Sequence, residues 1–163
     1  MRPVLELKYT PMEKLLEVLA LAGLLYTAAL LFTEWDQLPL RIPKHFGISG
    51  EPDGWGDKSN LSVLLLVGAG LYALLTILGF FPHLGNYPWE ITVENAARQY
   101  RITRSLLAWL KMELVWLFAY IEWCTIQVAK GRANGLSPHL LLTVVLVLLG
   151  TVGFHIIRAY QNR

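Results

Sequence analysis

The sequence predicts an all-α fold: a polytopic membrane bundle of four transmembrane helices with a structured outer loop between helices 1 and 2. Three observations predict it. Hydrophobic residues make up 55% of the 163 positions and charged ones only 16%, against roughly 25% charged in a soluble globular domain. Mean hydropathy is +0.44. Four long apolar runs alternate with shorter polar segments, and nothing in the chain shows the ten-residue alternation of a membrane β-strand. A single integral membrane domain over residues 1–163 is expected, with spans about 12–33, 61–81, 106–128 and 138–157. An outer motif loop at 34–60 and an inner basic segment at 82–105 complete it.

The first span opens at "TPMEKLLEVL", where Thr10 caps, Pro11 fits the first helical position and Glu13 completes a capping box. The unbroken apolar run Val18–Phe32 lacks a small-x-small cleavage site before the polar loop, so it reads as a retained span and not a signal peptide. The second span is capped by Ser59 or Asn60 and stopped by Pro82; Ala69 and Ala73 sit at small-xxx-small spacing within it. The third run reads as one long helix from about Val93 to Ala129, longer than a bilayer is thick. Its first turns carry Arg98, Arg101 and Arg104, expected to meet anionic lipid headgroups, with Tyr87, Trp89, Tyr100 and Trp109 as interface anchors. The fourth opens at "GLSPH", with Ser137 as cap and Pro138 in the first turn.

Orientation follows from the basic residues. Eight of them (Arg2, Lys8, Lys14, Arg98, Arg101, Arg104, Arg158, Arg163) fall on the side of the termini and five (Arg41, Lys44, Lys58, Lys130, Arg132) on the other. That bias places both termini in the cytoplasm of a multi-pass cell-membrane protein. The formal net charge of +2 and the absence of basic blocks give nucleic acid no footing as a partner. A lone Cys124 rules out an internal disulfide or a cysteine zinc knuckle.

The segment "LPLRIPKHFGISGEPDGWGDK" (Leu38–Lys58) is the chemically densest. Pro39 and Pro43 fix their own φ, and glycines permit turns, so the segment reads as a rigid cap. "EPDG" (Glu51–Gly54) fits a β-turn, and Trp55 suits the headgroup level. His45 and Asp53 form a candidate polar site for a divalent metal ion, with Glu51 or Asp57 assisting and His139 as a third ligand. The plainer alternative has His45 bonded to backbone carbonyls and Asp53 anchoring the turn. Lys58 is expected to ion-pair with Asp53 or Asp57.

Charges inside the third run form a second group. Lys111, Glu113 and Glu122 are costly near a bilayer centre and should face the bundle or partners. Lys111 and Glu122, eleven positions apart, share a face without touching, while Glu113 shares one with Tyr120, Cys124 and Gln127. One reading is a polar cavity in which Glu122 meets His45 or His139 and Glu113 titrates deeper. The other is that each acid bonds a Tyr, Trp or Thr of a neighbouring helix. Lys111 is expected to snorkel. His83 and His155 read as inner-face residues, His155 with Arg158 complementing a helix end.

The stretch Leu38–Lys58 resembles the domain of unknown function 1648, the N-terminal module of SdpI-type immunity proteins. The likeness rests on Leu38-Pro39, Ile42-Pro43, His45, Gly50, Asp53-Gly54 and Lys58. It extends plausibly into both flanking helices, and "NYPWEITVENAARQYRITRSLLAWLKMELVWLFAYIEW" is similar to the second half of shorter members. The resemblance implies a prokaryotic membrane protein. A secreted peptide toxin and a cytoplasmic regulator become candidate partners, beside membrane lipids and a second copy of the chain.

No catalytic constellation is present: no His-Glu-x-x-His, no Gly-x-Ser-x-Gly, no phosphate loop. The favoured reading is a non-catalytic binding, sensing or toxin-immunity protein whose outer loop recognises a peptide or ion through His45, Asp53, Trp55, Lys58, Glu113 and Glu122. The alternatives are a small transporter using the intramembrane acids, or an outer-face metal-dependent enzyme built from His45, Asp53, Glu122 and His139.

Overall fold

The computed structural model describes residues 2–163. Four long helices carry the chain: α1 (Pro11–Glu34), α2 (Asn60–Phe80), α3 (Ala96–Ala129) and α4 (Pro138–Gln161). Three stretches are long and apolar enough to cross a membrane: Pro11–Gln37, Asn60–Phe80 and Pro138–Gln161. The helix α3 is the longest, at 34 residues, about 50 Å at 1.5 Å per residue, but charge interrupts its apolar run.

The helix starts obey local chemistry. Thr10 and Glu13 exchange both bonds of a capping box, with Pro11 at the first position. Ser137 Oγ accepts from the Leu140 N–H ahead of α4. At α2, Ser59 is the capping position yet makes no side-chain cap bond. Its own N–H donates instead to Asp57 Oδ1 (2.8 Å), which holds the Asp57 carboxyl below the ordinary carboxylate range. Helix α3 begins at Ala96, slightly later than expected, because Thr92 and Asn95 close a turn on one another.

One expectation needs amending. The loop between α1 and α2 contains two antiparallel strands, β1 (Arg41–Phe46) and β2 (Pro52–Asp57), so the fold is helical with a small sheet and not purely α. The turn lies at Gly47–Gly50, closed by Gly50 N–H donating to Gly47 O (2.9 Å), and not at Glu51–Gly54. Asp53 and Gly54 are strand residues because the pairing Pro43 with Trp55 and Phe46 with Pro52 carries the ladder through them. The ladder slips twice, leaving Lys44 and Asp53 as extra residues. Such bulges re-aim side chains.

Packing centres on α3, which takes α1 and α2 along one stripe and α4 along another side. The stripe runs Arg104, Ala108, Lys111, Val115, Ala119, Glu122, Ile126, all buried and spaced three or four apart. Gly23 of α1 lies where a Cβ would come 3.0 Å from Val115 Cγ1, so α1 and α3 approach closely there. On α2 the buried small residue is Gly68, in ordinary contact range of Leu24 and Phe118, whereas Ala73 is exposed, so the expected Ala69/Ala73 contact is not the one made. Helix α4 packs mainly against α3, and His155 is its one buried residue.

The two ends of the bundle differ. At one, both chain ends meet the start of α3: Tyr100 donates to Pro3 O (3.0 Å), and Gln99 donates to Ala159 O and Asn162 O. At the other, Leu31, Leu38, Ile42, Leu61 and Ile126 form a core that seats the base of the hairpin on α1, α2 and α3.

Candidate functional site

The hairpin is clamped at its base and at its turn. Ile42 is fully buried in the core just described. At the turn, Leu136 N–H donates to Gly50 O (2.8 Å), joining the hairpin to the α3–α4 connection. Gly50 has φ +84, and a Cβ there would lie 2.0 Å from Leu136 O; one on Gly135 would lie 2.1 Å from Gly50 O. Backbone meets backbone at this point, which only glycine permits. Neighbouring bonds brace the connection: Tyr120 Oη accepts from Ser137 N–H and the Cys124 thiol donates to Gly135 O.

On this fixed frame His45 and Asp53 come together. Nδ1 of His45 lies 2.5 Å from Asp53 Oδ1, and both side chains are more than half exposed. The bulge at Asp53 carries its carboxylate toward β1. A carboxylate beside Nδ1 fixes the orientation of the ring, which stays largely exposed. Trp55 is exposed on β2, and Ile48 at the turn is exposed completely. Sequence reasoning passed over Ile48, although an apolar residue between turn glycines is a visible anomaly.

Lys58 does not pair with Asp53 or Asp57. Its ammonium sits 4.7 Å from the centroid of the Trp35 ring and donates to Trp35 O, tying the hairpin's exit to its entrance. The three-ligand set His45, Asp53 and His139 is not assembled. His139 is exposed at the first turn of α4, and the described residues contain no group of three His, Cys, Asp or Glu side chains placed to hold a metal.

Inside the helices, Glu113 and Glu122 behave differently. Thr151 of α4 donates to Glu113 Oε1 (2.6 Å), as the packing alternative expects, while Oε2 is buried without a partner. Glu122 is fully buried and both its oxygens are unpartnered; neither His45 nor His139 reaches it.

Four basic or aromatic assignments change. Arg104 is not a lipid-facing residue: it is buried and donates two hydrogen bonds to the Glu13 carboxylate (3.0 and 2.9 Å), with further hydrogen bonds to Leu7 O and Lys8 O and the Tyr9 ring beneath it. Arg98 and Arg101 remain exposed. Lys111 does not snorkel; it is buried in an ion pair with Glu17, donates to Thr76 Oγ1 (2.8 Å) and lies over Tyr72. Tyr100 is a core residue packed with Ile91 and Ala96 and not an interface anchor. His155 bonds Ser105 Oγ (3.1 Å) and Thr151 O instead of serving a helix end. The acids that match α3's bases escaped the sequence reading. The signal was present: Glu13 and Glu17 stand one turn apart on α1, Arg104 and Lys111 two turns apart on a helix running the same way.

Residues 18–71 match the family model described as a domain of unknown function (DUF1648). The match covers most of α1, the whole hairpin and the first half of α2, and so contains the His45–Asp53 pair. No curated protein and no solved structure matches the chain. With three helices apolar enough to cross a bilayer, the match describes a membrane-embedded protein carrying this domain.

Proposed function

We propose that this membrane-embedded carrier of the DUF1648 domain is a binding or sensing protein whose hairpin is its recognition element. In this reading α3 is the fourth span, both termini are cytoplasmic and the hairpin lies outside. Pairing supports the α3 assignment: Arg104 and Lys111 are neutralised by Glu13 and Glu17, which removes most of the cost of placing them in a bilayer. The basic-residue bias supports the orientation, as does the meeting of both chain ends at the end of α3 opposite the hairpin.

The observation that carries the reading is the contrast within the hairpin. Its base and turn are fixed by Ile42 and by Gly50 against Leu136, yet the oriented His45–Asp53 pair, Ile48 and Trp55 all face outward. A rigid element presenting an imidazole, a carboxylate and two apolar side chains suits a peptide or a divalent ion, because little ordering remains to be done on binding. Immunity to a secreted peptide is the form of this function that the resemblance favours.

The test is calorimetric titration of protein in nanodiscs with Zn²⁺ and, separately, with secreted peptides encoded beside it. Binding of either that disappears in His45→Ala and Asp53→Ala but survives Glu113→Gln is the expected result. Binding unaffected by both hairpin changes would overturn the reading. The immunity form fails if deleting the protein leaves resistance to those peptides unchanged.

A transporter reading draws on one observation, the unpartnered Glu122 inside the α1–α2–α3 seam. Proton-coupled flux in proteoliposomes that vanishes in Glu122→Gln or Glu113→Gln would favour it over recognition.

A further inference from the structure

A groove separate from the hairpin runs between α3 and α4. It encloses about 280 Å³ and is lined by Glu113, Trp116, Leu117, Tyr120, Leu140, Thr143, Val144 and Val147. Its walls are mostly apolar, the Thr143 hydroxyl is spent on His139 O, and Glu113 brings the only ionisable carboxyl among the lining residues. Glu113 uses Oε1 for Thr151, and its Oε2 is shielded from solvent with no hydrogen-bond partner. Two aromatic residues line the same groove, and both are held in place: Trp116 donates to Leu19 O and stacks with Tyr26, while Tyr120 accepts from Ser137 N–H and stacks with Trp123.

We infer that this groove is a binding site for a hydrophobic ammonium ion, seated with its charge at Glu113 Oε2 and its apolar body along α4. The chemistry converges on that class. A lone carboxylate oxygen lacking a donor wants a cationic N–H, and indole and phenol rings nearby add attraction to a cation in a medium of low dielectric. The remaining wall, of Leu117, Leu140, Val144 and Val147, offers only dispersion and burial, which suit an alkyl chain or ring. An anion has no positive partner there, and a fully apolar occupant leaves Oε2 unsatisfied, a state that buried polar groups avoid. The volume suits a ligand of drug-fragment size. No hairpin residue lines this site.

The test uses protonated N,N-dimethyloctylamine as the probe and octanol as its neutral counterpart, titrated into protein-loaded and empty nanodiscs. One saturable site per chain is expected for the amine, above simple partition into lipid. Glu113→Gln should weaken it at least tenfold, and Val147→Trp, which fills the groove and leaves the Glu113 carboxyl in place, should abolish it. His45→Ala should leave it unchanged, which separates this site from the hairpin. Thermal unfolding of each variant checks that it is folded; if Glu113→Gln is not, the Val147→Trp result decides. Equal binding of octanol, undiminished binding in either groove variant, or partition alone, meaning that bilayer acyl chains are the groove's only occupants, would overturn the inference.

Discussion

The two halves of α3's buried stripe make opposite use of charge. Toward the chain termini, Arg104 and Lys111 each meet an acid from α1, and the pairs are completed by Thr10, Thr76, Tyr9 and Tyr72. Toward the hairpin, Glu122 occupies an equivalent place on the stripe, is just as buried, and has no hydrogen-bond partner among the described residues. The first half is a lock in which every charge depends on another. In the second, a carboxyl contributes nothing to cohesion that its removal would forfeit. Burial by itself therefore does not mark a residue as structural; satisfied burial does.

Breaking the lock should have the largest effect. Arg104→Met leaves Glu13 buried without its cation, and should cost about 3–5 kcal/mol in detergent-based unfolding. The double change Arg104→Met with Glu13→Met should recover most of that loss, since two apolar groups replace the pair. A double variant as unstable as the single one would show that the backbone bonds to Leu7 and Lys8, with the capping bond from Thr10 N–H to Glu13, matter more than the ion pair.

Next in size is the hairpin clamp. Gly50→Ala forces a Cβ into Leu136 O and strains a left-handed backbone, for about 1–3 kcal/mol of strain. Limited proteolysis should show new cleavage at 47–51 while the helices stay protected.

Lys111→Met should cost less than Arg104→Met, about 1.5–3 kcal/mol, because its partner Glu17 is less buried than Glu13 and keeps a hydrogen bond from Tyr72 Oη. Chemical denaturation of the two variants side by side ranks them. The smallest effect belongs to Glu122→Leu: unchanged or raised thermal stability, since an unsatisfied carboxyl is replaced by an apolar group. A large loss there would mean that Glu122 has a role in cohesion and would erase the contrast between the two halves.

Much of the fold was legible because its signals are local. Pro11 and Pro138, the Thr10–Glu13 box and the Ser137 cap depend on neighbours in sequence, and the helices begin where those residues say. The hairpin was half legible. Its rigidity followed from Pro39, Pro43 and the glycines, but its strands did not, because the ladder needs the cross-strand register of Pro43 with Trp55, which no residue announces alone. The site residues divided in the same way. His45 and Asp53, eight positions apart on one hairpin, lie in contact with each other. His139, Arg104 and Lys111 were misplaced because their surroundings come from other helices, and only the relative heights of α1, α3 and α4 decide whom they meet. Glu113 had its Thr neighbour anticipated in kind, though Thr151 itself could not be named.

The claim on which recognition depends is that the hairpin is the outward-facing end of the protein. Impermeant maleimide labelling of intact cells tests it most directly, with Ser49→Cys at the exposed turn and Asn162→Cys at the chain end, the native Cys124 being buried. Labelling at position 49 and none at position 162 until the cells are permeabilised is the predicted result. Labelling at 162 with protection at 49 would contradict it.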